Sequence, residues 1–363
     1  MSKIIKIISF LAFVTTSTLS LAAEVNVVSW GGAYTNSQKL GYGDPYAEKS
    51  GVAVNCIDYT GGLGEIKAQV ESGAITWDII DVFAFESIQG CDEGLFVEFD
   101  FDNDFPAGVD GSKASDDFFT GGDNPLTDNP GGMPSKCAVG NILYSWNFGY
   151  NTEIFDTNFN LPNSIGAFFD KATYPGKRGV YTGAMSNLEI ALMADGVAPG
   201  DVYDVLDSEG GMDRALAKMT SLCADDGCFF WSGGAQPPEA LVAKEVSMST
   251  AWNGRLFNAI VGEGSPIQMV WDAQILDYQY MVLVNGGPNQ AEAMKALQYF
   301  TGSEGLAGSA KHISYAPFRK SSLELIQDPW YEGGPDGNVD IMPHMPTAPA
   351  NLENHLLMNA EWW

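Results

Sequence analysis

Apolar positions interleaved with polar ones make "EVNVVSW", Glu24 to Trp30, a β-rich run that ends abruptly at Gly31-Gly32. Such a short valine-rich run bounded by glycines predicts a strand. Helical spacing follows from Tyr34 to Glu48, then a second strand in "VAVNCIDYT". "GGLGEIKAQVESG" reads as a glycine turn feeding a short helix, with Glu65 near its start and Gly73 as its stop. "TWDIIDVF" is the third strand. Strand, helix, strand, helix with short connections predicts a right-handed parallel α/β sheet.

From Asp100 to Pro134 the pattern dissolves into Asp, Gly, Asn and Pro, a loop that a compact domain tolerates only if something ties it down. "VGNILYSWNFGY" is a β run able to cross into a second lobe. "NLEIALMADG" and "GGMDRALAKMTSL" carry helical spacing, and the segment from Cys228 to Arg255 reads as strand, turn, helix, strand. The β-rich "IQMVWDAQILDYQYMVLVNGG" carries the chain back. "NQAEAMKALQYFTGSEG" is an amphipathic helix ended by Gly, and the tail from Pro346 to Trp363 holds a last short helix, with Trp362 and Trp363 anchoring it on the body. No internal repeat recurs at a fixed period.

The first residues change the picture. Lys3 and Lys6 precede the apolar "IISFLAFV", and Ser20 and Ala22 fit a cleavage site before Ala23, so residues 1–22 read as a secretory signal too short to span a membrane. No cysteine follows the cleavage site, so no lipid anchor is expected. The mature chain of roughly 340 residues exceeds the usual size of one domain and predicts two lobes. The expected division is a first lobe over 23–140, a second over 141–273, a return hinge completing the first lobe over 274–320, and a tail over 321–363 packed on the body.

The formal net charge is −28 and becomes −30 without Lys3 and Lys6, which makes nucleic acid and anionic lipid poor partners. A cationic ligand would be steered toward such a surface, and solubility in an extracytoplasmic medium explains the charge equally well. Five cysteines in an exported chain imply disulfides with one left over. Cys223 and Cys228 bracket the turn-forming "ADDG" and are paired; Cys91 with Cys137 would close the Asp/Gly-rich loop. Cys56 reads as a buried thiol.

The order and spacing of "VNVVSWGGAY", "YTGGLGEIKAQVESGAITWDIIDV", "CDEGLF", "YPGKRG", "NLEIALMADGVAP", "GAQPPEAL", "AWNGR", "WDAQILDYQYMVLVNGGPN" and "ISYAPFRKSS" resemble the spermidine/putrescine-binding group of extracytoplasmic solute-binding proteins. The resemblance covers nearly the whole mature chain. It implies a two-lobed α/β periplasmic-binding-protein-like fold (type II) with a two-strand hinge, a cleft that holds the ligand, and delivery to the permease subunits of an ABC importer. It also implies a periplasmic monomer with no cofactor, no metal and no bond chemistry.

Open parallel sheets bind ligands beyond the carboxyl ends of their strands. The positions matching the family's pocket are Trp30, Gly31, Phe83, Glu189, Trp252, Arg255, Gln279, Tyr280 and Tyr315. In polyamine binders aromatic faces stack on the methylene chain while carboxylates take the ammonium ends. Here the pattern departs: Arg255 and Gln279 stand where the family places Asp, leaving Glu189 as the pocket carboxylate. A cation opposes an ammonium in a partly desolvated cleft, and an arginine suits a bidentate grip on a carboxylate. The main reading is therefore a polyamine or related small cationic solute, and the alternative is a carboxylate-bearing zwitterion held by Arg255. Arg255 facing the cleft and Arg255 in a salt bridge at its rim both stand at this point. Gln279 and Tyr280 are strand neighbours, so only one can face the cleft.

Other classes lack their chemistry. A cysteine-dependent enzyme on this fold needs an activated thiol beside a base, and Cys56 lies far along the chain from His312, His344 and His355. Gly-x-Ser-x-Gly, His-Glu-x-x-His and phosphate-cradling glycine loops are absent from the sequence. Tyr278 and Tyr280 in "DYQY" invite comparison with ferric-iron sites but bring no further ligands with them.

Overall fold

The computed structural model describes residues 24–119, 132–156, 160–327, 330–335 and 337–363. The expected signal segment and its cleavage site lie outside these residues, as does the middle of the Asp/Gly-rich loop.

The strands are β1 (Glu24–Ser29), β2 (Ala53–Asp58), β3 (Ile79–Phe83), β4 (Ala138–Asn151), β5 (Arg178–Tyr181), β6 (Cys228–Trp231), β7 (Met248–Trp252), β8 (Ile267–Leu283), β9 (Ala316–Pro317) and β10 (His355–Leu357). They form one mixed sheet in the order β2-β1-β3-β8-β4-β7-β5-β6. β1 pairs in parallel with β2 and β3, and β5 in parallel with β6 and β7. Between these two parallel sets run the antiparallel β4 and β8, of 14 and 17 residues. Both are long enough to serve two lobes, and they make the two-strand hinge.

Each lobe has its own apolar core. Val25, Val27, Ile79, Val82 and Leu297 are buried in the first, and Trp146, Phe168, Leu192, Trp231 and Met248 in the second. Alternation fixes these faces, and the connecting helices cover them. The helix expected from Tyr34 to Glu48 is broken: helix Gly32–Gln38 passes through a wide turn at Lys39–Gly43 before helix Asp44–Ser50. A Cβ at Gly41 would lie 2.4 Å from the Ser309 backbone nitrogen, so the break lets helix Ser303–Ser309 come backbone to backbone. Gly73 ends helix Gly64–Ser72 in the left-handed conformation, as the sequence predicts.

Cys91 is bonded to Cys137 and Cys223 to Cys228, as paired from the sequence. The first ties helix Ala84–Asp92 to the foot of β4 across the Asp/Gly-rich loop. Cys56 is corrected: it is free but only half-buried, because β2 is an edge strand. The same loop is pinned from below by a fully buried ion pair, Arg319 Nη1 to Asp117 Oδ2 at 2.9 Å.

The tail departs from expectation too. In place of a last α-helix it makes a short 3-10 turn, Pro349–Leu352, and then β10, which pairs in parallel with β8 at Gln274–Leu276. Gln274 reaches the tail carbonyl of Pro346, so a hinge strand with a free edge has claimed the segment. Beyond it, the Trp362 indole donates to Asp207 and the Trp363 indole to Glu189. Both tryptophans anchor the tail, on helices of the second lobe.

Candidate functional site

β1, β3 and β7 end at one place, between the lobes, and their last or next residues are Trp30, Phe83 and Trp252. The small cavity there is also lined by Tyr34, Tyr144, Arg255, Gln279 and Tyr315. Phe83 and Trp30 belong to the first lobe, with ring centroids 4.6 Å apart. Trp252 approaches Trp30 edge-on from the second lobe at 6.1 Å. Gln279 pairs with Phe83 across β3 and β8, lines the cavity, and its side-chain amide donates to the Val82 carbonyl at 2.6 Å. Tyr315, just before β9, meets Tyr34 edge-on at 5.3 Å.

Arg255 lies on helix Asn253–Phe257, immediately after β7, and is buried. It faces the cleft. Its Nη2 donates to the Trp30 carbonyl at 3.0 Å, from the second lobe to the first. The guanidinium carbon stands 5.9 Å from the centroids of both the Tyr34 and Trp252 rings. Burial pulls its pKa down, while Tyr315, Tyr34 and Asp58 support its charge. Among the described residues no carboxylate comes within ion-pair distance of it, and its Nε has no acceptor. The rim salt bridge is therefore not what holds it. The indole N–H groups of Trp30 and Trp252 are likewise buried without acceptors. A Cβ at Gly234 would lie 2.7 Å from Arg255 Nε and 2.8 Å from the Trp252 ring, so only glycine lets these two side chains lie where they do.

Two cavity tyrosines escaped the sequence reading. The Tyr34 hydroxyl accepts from Asn141 at 2.8 Å and reaches Asp81 at 3.4 Å. The Tyr144 hydroxyl donates to Asp277 on β8. Both carboxylates are buried, and desolvation raises each to about 6 against the bonds they accept. The signal for Tyr144 was present in "NILYSW", where i and i+2 alternation puts it on the face of Trp146; only the pairing partner was hidden.

Two expected residues stand elsewhere, and a third has its amide already taken. Glu189 is buried under the tail, where Oε1 accepts from the Tyr203 hydroxyl at 3.2 Å and the Trp363 indole at 2.9 Å. Its helix presents it to the back of the hinge and not to the cavity. Tyr280 points away from Gln279, as strand alternation requires, and packs on Phe318 at 5.4 Å. Gly31 sits at the cleft edge with φ 70°, but its amide is already committed to Thr35 Oγ1 at 2.8 Å. Tyr278 also packs on Phe318, and among the described residues no group of three His, Cys, Asp or Glu could hold a metal ion. A larger groove runs along β10 and is lined by Asp277, Tyr278, Tyr280, Leu356 and Met358.

A family model described as bacterial extracellular solute-binding protein matches residues 41–336. The chain belongs to that family. It is similar to the γ-aminobutyric acid-binding protein of Pseudomonas aeruginosa, 34% identical over 340 residues that cover 94% of this chain and 86% of the relative. Its fold is similar to that of the periplasmic-binding protein MotA from A. tumefaciens B6, solved with glucopine, at TM-score 0.78 and 25% identity, covering 94% and 95% of the two chains. A solved γ-aminobutyric acid receptor matches at TM-score 0.72 and 26% identity over 94% and 92%. This solute-binding protein of an ABC importer thus has the two-lobed fold its sequence suggests, with relatives named as binding proteins. Among the described residues no helix is long and apolar enough to cross a membrane.

Proposed function

We propose that this protein captures a small carboxylate-bearing zwitterion, γ-aminobutyrate or a similar amino acid, between its lobes in the periplasm and delivers it to the permease. The observation that carries the reading is the buried Arg255 guanidinium in the cleft, which among the described residues has no carboxylate within ion-pair distance and keeps its Nε without an acceptor. Arginine stays charged at any physiological pH, and an uncompensated buried charge costs several kcal/mol, so the site favours an anion. The unpaired Nε and the two indole N–H groups add donors for the same oxygens. The names of the relatives above support an amino-acid ligand. The polyamine reading loses its physical ground, since Glu189 lies outside the cavity and a fixed cation lies inside it.

Trp30, Phe83 and Trp252 then pack on the ligand's methylene chain and favour its ammonium. Tyr315 and Gln279 complete the wall. Ligand contacts from both lobes stabilise the closed arrangement over the open one. Residues 1–22 are the export signal, removed before the protein works.

Isothermal titration calorimetry of the purified mature protein tests this. Heat should be released with γ-aminobutyrate and not with putrescine or spermidine, and Arg255→Gln should weaken binding by roughly a hundredfold, the loss expected for one buried charged partner. Binding of putrescine or spermidine by the wild type, or γ-aminobutyrate affinity left unchanged in Arg255→Gln, would refute the assignment.

A further inference from the structure

The C-terminal tail crosses the hinge. Tyr331, Ile341 and Met345 are buried in the core of the first lobe, whereas Leu356 and Met358 are buried in that of the second. The chain therefore passes between the lobes a third time, after β4 and β8. β3 covers the edge of β8 from Gln279 to Leu283, and β10 takes a stretch beyond it, Gln274 to Leu276.

From β10 to the end of the chain the side chains divide between the lobes. Leu357 and Ala360 pack against the first core; Leu356, Met358, Trp362 and Trp363 pack with the second. The groove beside β10 has the same two-sided wall, with Ala84 and Ile88 from the first lobe and Pro199 and Tyr203 from the second. Polar bonds fix the second-lobe side. The Tyr203 hydroxyl accepts from the Asn359 backbone N–H at 3.0 Å and donates to Glu189 at 3.2 Å, and the Trp362 and Trp363 indoles donate to Asp207 and Glu189 at 2.8 and 2.9 Å.

Ala360 and Trp362 are two residues apart, and two residues of extended chain span at most about 7 Å. A rotation of one lobe against the other finds no slack there: it must pull Ala360 off the first lobe or the tryptophans off the second. In this structure the lobes meet, since Arg255 of the second donates to the Trp30 carbonyl of the first. The tail contacts therefore belong to the closed arrangement.

We propose that residues 359–363 are a strap that holds the two lobes in the closed arrangement from outside the cleft and so sets the affinity for cargo. None of these residues lines the aromatic cavity that holds Arg255. A solute that binds only the closed form loses apparent affinity in proportion to the fraction of molecules that are open, so a contact far from the cleft changes binding without touching the ligand. The proposal holds whichever solute the cleft takes. Tyr203, Glu189 and Asp207 are positioning residues for the strap.

The test compares the full mature chain with a chain ending at Met358 and with Tyr203→Phe, which keeps every residue of the tail and removes one hydroxyl. Small-angle X-ray scattering gives the radius of gyration without ligand and at saturating γ-aminobutyrate, and calorimetry gives the affinity. The shortened chain should be the more expanded without ligand although it has fewer residues, should match the full chain when saturated, and should bind γ-aminobutyrate about fivefold more weakly, the lower end of coupling between distant sites. Tyr203→Phe should shift both quantities in the same direction by less. Unchanged radius and affinity in both variants overturn the strap, as does tighter binding by the shortened chain. A radius enlarged equally with and without ligand also overturns it, because that is local unfolding and not a hinge motion. If γ-aminobutyrate binds none of the three proteins, the ligand reading fails by itself and the ligand-free radii decide the strap alone, equality overturning it.

Discussion

Replacing Glu189 with glutamine should stabilise the ligand-free protein, and only above mildly acidic pH. Glu189 is fully buried; Oε1 holds two hydrogen bonds and Oε2 has none. Burial is the largest influence on its acidity and raises the pKa from 4.5 to about 7, with the charge of Asp277 acting in the same direction against the bonds from Trp363 and Tyr203. Because the folded value lies above the unfolded one, the unfolded chain loses this proton first as pH rises. The folded state is penalised progressively between about pH 4.5 and pH 7 and fully above it. That interval corresponds to about 3 kcal/mol. Glutamine keeps an oxygen for Tyr203 and Trp363 and does not ionise. Asp81, also raised, does not interact with Glu189 and cancels between the two proteins. Urea unfolding of wild type and Glu189→Gln, followed by tryptophan fluorescence from pH 4.5 to 8, should show a difference near zero at the acid end that grows to about 3 kcal/mol in favour of the variant. A difference that is flat with pH, or that favours the wild type at pH 8, refutes the argument.

Gly234→Ala should weaken γ-aminobutyrate binding about tenfold, since its Cβ would press on Arg255 Nε and the Trp252 ring; unchanged affinity in calorimetry would mean the two side chains yield without leaving the cleft. Asp117→Ala removes the partner of a fully buried arginine and the acceptor of Ser321, and should cost about 3 to 5 kcal/mol by urea unfolding. A loss below about 1 kcal/mol would show that Arg319 finds compensation in the carbonyls of Thr301 and Pro106.

What the sequence revealed of the site were residues at strand ends. Trp30, Phe83, Trp252 and Arg255 follow runs whose alternation stops abruptly, and a strand's end is where a parallel sheet exposes side chains to a cleft. Tyr34 and Tyr144 were hidden for a physical reason: each lies inside an element and is tied to a carboxylate more than forty residues away in sequence, a pairing no local pattern contains. Glu189 misled because a lone acid on an apolar helix looks poised for a ligand, whereas its partner is the chain's own last tryptophan. The sheet's first three strands were legible from periodicity. β10 was not, because a three-residue strand takes its conformation from the open edge of β8 more than from its own composition.

The bond from Arg255 to the Trp30 carbonyl reaches from the second lobe to the first beside the edge-on contact of Trp252 with Trp30. If the same guanidinium holds the cargo's carboxylate, filling and shape become one variable. A membrane partner that inspects only the outer contour then learns the sign of the charge enclosed at the centre, and a solute of the wrong sign leaves that contour unset.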